Sequence, residues 1–373
     1  MLKIKSTQVK NLFLFFTLSL LAFSPSPLSA QVSDDANEQR EFLQIVQIDD
    51  DRYRVIESAE QIYQQIKQRA EEKIKERKRK LLKKTRITAS VTGGYETNPL
   101  SAPEEGGDED GDGFINESIK LQWLPKFSTR FRADVSYRIY NKTNFNTNDL
   151  NYLSNSIKGF LKFYPFKGLR IEPGVEYYDV HYFNDDRARY GQVEPFIKFK
   201  SYVSDKWNYG GSYEFSRKKY DERLARNFLK TDISGKERKD NRHTVNLNLT
   251  RYFGNFTVRL RGRYLNNDSN DAFQDFYDFH SYRGYLTIAK KFLENKLYVS
   301  FTPNFEKRKY DSRIASGSDV RDDEIMYYSF STSYEIAKDL DLRYTLYHRN
   351  SNSNSSSGEF KNTINSVGFT KKF

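Results

Sequence analysis

Three features of this 373-residue sequence predict an all-β chain, a transmembrane antiparallel up-and-down β-barrel of about fourteen strands behind a short α-helical segment. The first is a hydrophobic period of two that runs from Ile87 to the C-terminus. The second is a regular alternation of short and long connections. The third is composition: mean hydropathy is −0.82 and 30% of residues are charged, yet 16% are aromatic, with 27 Tyr and 29 Phe. A disordered chain would lack the aromatics. A soluble core of this size would use more Leu, Ile and Val. A barrel with a polar inner face and aromatic girdles at two membrane interfaces accounts for both. The absence of cysteine removes disulfides, thiolate metal sites and a lipid-modified cysteine.

Residues 1–30 read as an export signal. Lys3, Lys5 and Lys10 precede the apolar run Leu12–Phe23, and Leu28, Ser29 and Ala30 offer a small-residue cleavage site before Gln31. The run is too short to span a bilayer comfortably. Residues 31–86 form a periplasmic helical segment with a basic C-terminal half. Ile56, Ala59, Tyr63, Ile66 and Ala70 follow a 3-4-3-4 spacing, a stripe on one helical face. Asp51 is the expected N-cap of a helix reaching Lys84, about 50 Å long at 1.5 Å per residue. The net charge is +11, and residues 67–86 hold eleven Lys/Arg against Glu71, Glu72 and Glu76. In the periplasm such a run faces anionic phospholipid headgroups or cell-wall polymer, not nucleic acid.

Residues 87–373 are the barrel. The predicted strands are 87–97, 114–124, 129–141, 152–164, 169–182, 190–203, 206–219, 242–253, 255–266, 279–292, 296–309, 325–337, 340–350 and 360–373. Phe131, Ala133, Val135, Tyr137 and Ile139 alternate with Arg130, Arg132, Asp134, Ser136 and Arg138, apolar out and polar in. Phe256, Val258, Leu260, Gly262 and Tyr264 alternate in the same way with Thr257, Arg259, Arg261 and Arg263. Short turns follow the even-numbered strands, such as Gly254 and Lys338–Asp339. Long polar loops, including 98–113, 220–241, 310–324 and 351–359, follow the odd-numbered ones. A soluble β-sandwich does not explain that alternation. An even strand number puts the helical segment and the C-terminus together on the periplasmic side of the outer membrane of a Gram-negative bacterium.

Two terminal motifs carry resemblances. Phe373, with Phe369 and Val367 on the same face, resembles the end signal read by the barrel-assembly machinery, and Lys371 departs from it where an aromatic or apolar residue is usual. Thr92-Gly93-Gly94-Tyr95-Glu96-Thr97-Asn98-Pro99 resembles the opening of the barrels of surface lipoprotein assembly modifiers and of exopolysaccharide-export outer-membrane proteins. The resemblance covers those eight residues and the general layout. It implies an outer-membrane barrel in contact with membrane lipid and lipopolysaccharide. The first of those families carries a larger periplasmic helical-repeat domain, for which the segment here is too short. Read without the resemblance, the same residues are a strand ending in an Asn-Pro turn.

The candidate functional residues lie on the polar phase. Arg130, Arg132, Arg138, Lys158, Lys162, Arg170, Lys198, Lys200, Arg259, Arg261, Arg263, Arg283, Arg308, Arg343 and Arg349 fall inward, against fewer acids, namely Glu96, Asp134, Glu172, Glu176, Glu194, Glu214, Glu306 and Glu335. This predicts either a ladder of ion pairs in a closed lumen or a surplus of guanidinium groups that favours anions. In the first outer loop Asp108, Asp110 and Asp112 stand at alternate positions before Gly113, the first half of an EF-hand-type calcium loop. Ile119 replaces the bidentate Glu at the twelfth position, so the expectation is a weak Ca²⁺ site or a solvated acidic loop. No other cofactor is expected. None of the four histidines has a helix-borne metal partner or a serine-nucleophile motif; Asp179, His181, Asp185 and Asp186 are placed in the manner of a surface hydrolase cluster, and a polar strand end is the preferred reading of them. The leading expectation is therefore passage or export of a solute, favouring an acidic saccharide or small anion. A non-conducting scaffold or assembly factor that binds a protein partner through outer loops or the periplasmic helix comes second, and an outer-membrane hydrolase third.

Overall fold

The computed structural model describes residues 63–74, 85–101, 111–273, 277–315 and 319–373. The expected export signal, the first part of the helical segment and the basic run 75–84 lie outside the described residues. The chain divides into two units, Met1–Lys75 and Glu76–Phe373. In the first unit, residues 63–74 are one α-helix with every side chain exposed, a piece of the helix expected over 51–84.

The second unit is a closed antiparallel barrel of fourteen strands joined in sequence order. They are β1 (Thr85–Glu96), β2 (Asp112–Trp123), β3 (Phe131–Asn144), β4 (Tyr152–Phe163), β5 (Leu169–Tyr182), β6 (Tyr190–Ser204) and β7 (Trp207–Arg226). The second half runs β8 (Asp232–Phe253), β9 (Phe256–Ser269), β10 (Phe279–Phe292), β11 (Leu297–Ile314), β12 (Val320–Ala337), β13 (Leu340–Ser353) and β14 (Phe360–Lys372). β1 and β14 close the ring, from Thr88↔Lys372 to Glu96↔Ile364. Closure satisfies every edge, which is the condition for a sheet to cross hydrocarbon.

All fourteen predicted strands are present. The connections after even-numbered strands are short, only two residues after β6, β8 and β12, and in the second of these Gly254 takes φ +63°, a conformation L side chains rarely adopt. Two expected loops are corrected. Residues 220–241 and 310–324 are mostly strand: β7 and β8 continue to a tip at 227–231, while β11 runs on to Ile314 and β12 begins at Val320. The physical reason is that the inward face of these extensions is polar, with Arg238, Asp240, Arg321 and Asp323 buried on it, and the outward face lies beyond the lipid. No apolar phase is required there, and the period-two signal disappears although the ladder continues.

The two faces of the wall differ. Outward positions carry exposed apolar side chains around the circumference, among them Val91, Ile119, Val135, Leu161, Val175, Ile197, Leu247, Leu260, Ile288, Phe301, Met326 and Val367. Inward positions carry most of the charge. A few large groups pack on the inner side, notably Phe114, Phe196, Leu265 and the wholly buried Ile325.

Candidate functional site: the luminal wall

Strand pairing brings the inward charges together in a pattern. Lys158 binds Glu176 directly across β4–β5. Lys162 meets Asp134 and Lys198 meets Glu214 at 2.9 Å across adjacent strands, and Arg170 meets Glu172 at 2.9 Å along β5. These are the paired rungs expected of a filled lumen. The β9–β11 wall departs from one-to-one pairing. Arg283 faces Arg263 on one side and Glu306 on the other. The buried carboxylate of Glu306 then accepts contacts from Arg283 at 3.3 Å, Arg308 at 3.1 Å and Arg263 at 3.5 Å, and from the Tyr327 hydroxyl at 3.2 Å. Three guanidinium groups share one acid.

Other cations have no acid at all. Arg132, Arg138, Arg259, Arg261 and Arg343 are inward by strand phase, and none has a carboxylate within ion-pair distance among the described residues. Arg259 donates to Thr250 at 3.3 Å, Arg138 lies 5.2 Å from the Tyr140 ring centre, and Arg261 lies 5.5 Å from that of Tyr285. Arg130 is corrected. β3 begins at Phe131, and Arg130 sits exposed in the preceding short turn, where its carbonyl accepts from the Tyr164 N–H. It marks the rim of the barrel, not its lumen.

Two cavities of about 490 and 400 Å³ follow this wall and share Arg242, Arg263 and Leu265. The first is lined by six cations, including Arg170, Lys200 and Arg261, against Glu172, Glu194 and Glu214. The second is lined by Lys218, Arg238, Arg242, Arg263, Arg308 and Arg313 against Asp240 and Glu306. Both hold more positive than negative charge. Arg238 and Arg313 escaped the sequence reading because it placed 220–241 and 310–324 in loops, whereas Lys218 and Arg242 lay on the inward phase of the predicted strands 206–219 and 242–253 and were not singled out. The missed signal was the phase of Thr244, Asn246 and Asn248, which continues back through Arg242, Asp240 and Arg238.

Asp112 does not stand free for a cation. Its carboxylate accepts from the backbone N–H groups of Phe145, Asn146 and Thr147 at 2.7–3.2 Å and so caps the β3–β4 loop. Asp108 and Asp110 lie outside the described residues. All four histidines face outward near the long-loop end. His243 pairs with Tyr213 at 2.8 Å, His348 with Thr363 at 2.8 Å, and His280 lies 3.5 Å from Asp311. His181 packs edge-on to Phe183, while Asp186 pairs with Arg189 at 3.6 Å.

At the other end Val367 and Phe369 are exposed on the outward face of β14, as their phase predicts, and Phe373, one residue past its end, is exposed too. Lys371 shares that face and donates to the Lys338 carbonyl of the adjacent turn at 2.9 Å. The departure from the end signal is thus a side chain turned to a polar partner. Monomers in water rarely expose a contiguous apolar patch beyond about 300–600 Å². The band here encircles the whole wall, which only a bilayer can cover. The fold is that of an outer-membrane β-barrel.

No family model matches the chain, and no curated protein does. Solved barrels do. The NanC porin is 11% identical, covers 76% of this chain and 100% of its own, with a TM-score of 0.36. A Pseudomonas aeruginosa FadL homologue is 9% identical over 77% of this chain and 89% of its own, with a TM-score of 0.44. OccAB4 from Acinetobacter baumannii is 10% identical over 78% and 98%, with a TM-score of 0.39. The likeness is in the barrel.

Proposed function

We propose that the barrel is a pore in the outer membrane of a Gram-negative bacterium and passes or exports anionic solutes, either acidic saccharides or small anions. The observation that carries this reading is the cation surplus of the luminal wall: unneutralised Arg132, Arg138, Arg259, Arg261 and Arg343, and three arginines around the single Glu306. Guanidinium stays charged at any relevant pH. Closely spaced cations on a low-dielectric wall concentrate anions and repel cations. The long-loop end is the cell exterior and the short-turn end the periplasm, which leaves residues 63–74 inside the periplasm.

A second reading, a non-conducting scaffold, is favoured by the inward packing of Phe114, Phe196 and Ile325 and by the paired rungs of β3–β7. Planar-bilayer recording of the purified barrel separates the two. The expected result is a stable conductance with a reversal potential of anion sign in a salt gradient. A folded barrel that does not conduct, or one that prefers cations, overturns the anion pore.

A further inference from the structure

The sequence assigns tyrosines to membrane girdles, but a row of them turns inward. Tyr140, Tyr152, Tyr182, Tyr190 and Tyr220 sit on five consecutive strands, β3 to β7, toward the long-loop end. Ring centres are 5.6 Å apart for Tyr140 and Tyr152, 5.3 Å for Tyr152 and Tyr182, and 5.9 Å for Tyr190 and Tyr220. The first four are only half-buried, so their rings remain open to the lumen. This is no packed core. It is a curved aromatic lining inside a polar channel.

Cations end the row on both sides. Arg138 lies over Tyr140. At the far side the Lys218 ammonium lies 3.5 Å from the Tyr190 ring centre and 4.4 Å from that of Tyr220. Lys218 and Tyr220 then line the 400 Å³ cavity together with Arg242, Arg263 and Arg308. That volume lies in the range of small-molecule sites, about 300–1,000 Å³. Arg242 is exposed to the lumen. Its Nε donates to Asn267 at 3.2 Å, and it has no carboxylate within ion-pair distance among the described residues. Lys218 likewise has none.

An aromatic lining beside a guanidinium cluster has a definite chemical complement. A pyranose presents one face of C–H groups, weakly positive at the surface, which suits the negative face of an aromatic ring. Simple inorganic anions have no such face and would not need the tyrosines. A neutral sugar would not need the arginines. The cluster already holds one planar carboxylate, that of Glu306, with arginine donors.

Resting on the anion-pore reading, we propose that the lumen holds a binding site for a carboxylated saccharide, a hexuronate unit. The Tyr140–Tyr220 row takes the sugar face, and Arg242 with Arg263 and Arg308 takes the carboxylate. The unit is supplied either as a free acid or within an acidic polysaccharide.

The test is calorimetric titration of the purified full-length barrel in detergent with glucuronate, glucose, acetate, phosphate and a tri-galacturonate. Folding of each variant is verified by heat-modifiable gel migration. Wild type should bind glucuronate about tenfold more tightly than glucose or acetate, the worth of one charge-assisted contact or one stacked ring. Arg242→Gln should weaken glucuronate and leave glucose unchanged. Tyr190→Leu should weaken glucuronate and leave acetate unchanged, while Tyr190→Phe, which keeps the ring, should retain binding. If Tyr190→Leu does not fold, Tyr152→Leu gives the same reading at a half-buried position. Tighter binding of the trimer than of glucuronate would identify the polymer as the source, and equal binding the free acid. Phosphate or acetate binding as tightly as glucuronate overturns the site, as does indifference to loss of the ring. Either result leaves an anion-selective conductance intact. A cation-selective barrel that still binds glucuronate would instead overturn the pore reading alone.

Discussion

Arg283 and Glu306 are direct partners across the β10–β11 ladder, with the guanidinium Nη1 3.3 Å from the carboxylate. Arg263 and Arg308 converge on the same acid. Glu306→Gln should therefore have two effects of opposite use. Removing the acid of a buried ion network costs about 3–5 kcal/mol because the cations are left uncompensated. It also adds one net positive charge to the wall. Denaturant unfolding should show a less stable barrel, and bilayer recording a stronger anion preference. Unchanged stability would mean that the three arginines are solvated independently of Glu306.

Arg259 and Arg261 supply charge without an acid partner, so their removal should change selectivity with little change in stability. In the Arg259→Gln, Arg261→Gln double variant the reversal potential should move toward zero. The shift should be larger at about 0.01 M salt, where the Debye length is about 30 Å, than at 1 M. An identical reversal potential at low salt would show that these side chains do not face the permeation path.

Asp112 makes a loop depend on one carboxylate. Asp112→Ala leaves the N–H groups of Phe145, Asn146 and Thr147 without that acceptor. Stranding such donors costs about 1–3 kcal/mol each when water cannot replace the acceptor, and less at a loop. Limited proteolysis of the variant should cut within 145–151 faster than wild type, while the barrel stays heat-modifiable. Asp112→Asn should fall between the two, since its amide keeps one acceptor. Calcium added to wild type should change neither rate if Asp112 acts only as a cap. Protection by calcium would support the weak Ca²⁺ site expected from Asp108, Asp110 and Asp112.

Topology can be tested by single cysteines, because the chain has none. Leu229 sits exposed at the tip of the β7–β8 hairpin, and Lys338 in a short turn. In intact cells a membrane-impermeant maleimide should label Leu229→Cys and spare Lys338→Cys until the outer membrane is opened. The reverse pattern would invert the orientation and place residues 63–74 outside the cell.

The amino-acid sequence by itself determined the strand number, the inner and outer phase of most strands, and the short turns. Each follows from a local rule: a period of two, a turn residue, or the need to put apolar groups on lipid. It placed Arg132, Arg259, Arg261, Arg283 and Glu306 inward, and Val367, Phe369 and Phe373 outward. The rules failed where their physical cause was absent. Beyond the bilayer neither face of β7, β8, β11 or β12 needs to be apolar, so Arg238, Arg313 and much of two hairpins gave no signal. Which charges meet was decided by the tertiary structure alone. Phase fixes the face of a residue but not its height on the wall. Register and closure set that height, and they bring Arg263, Arg283 and Arg308 from three strands onto Glu306. They also carry Tyr190 to Lys218 and Tyr220, turning residues that composition assigns to membrane girdles into the lining of the lumen.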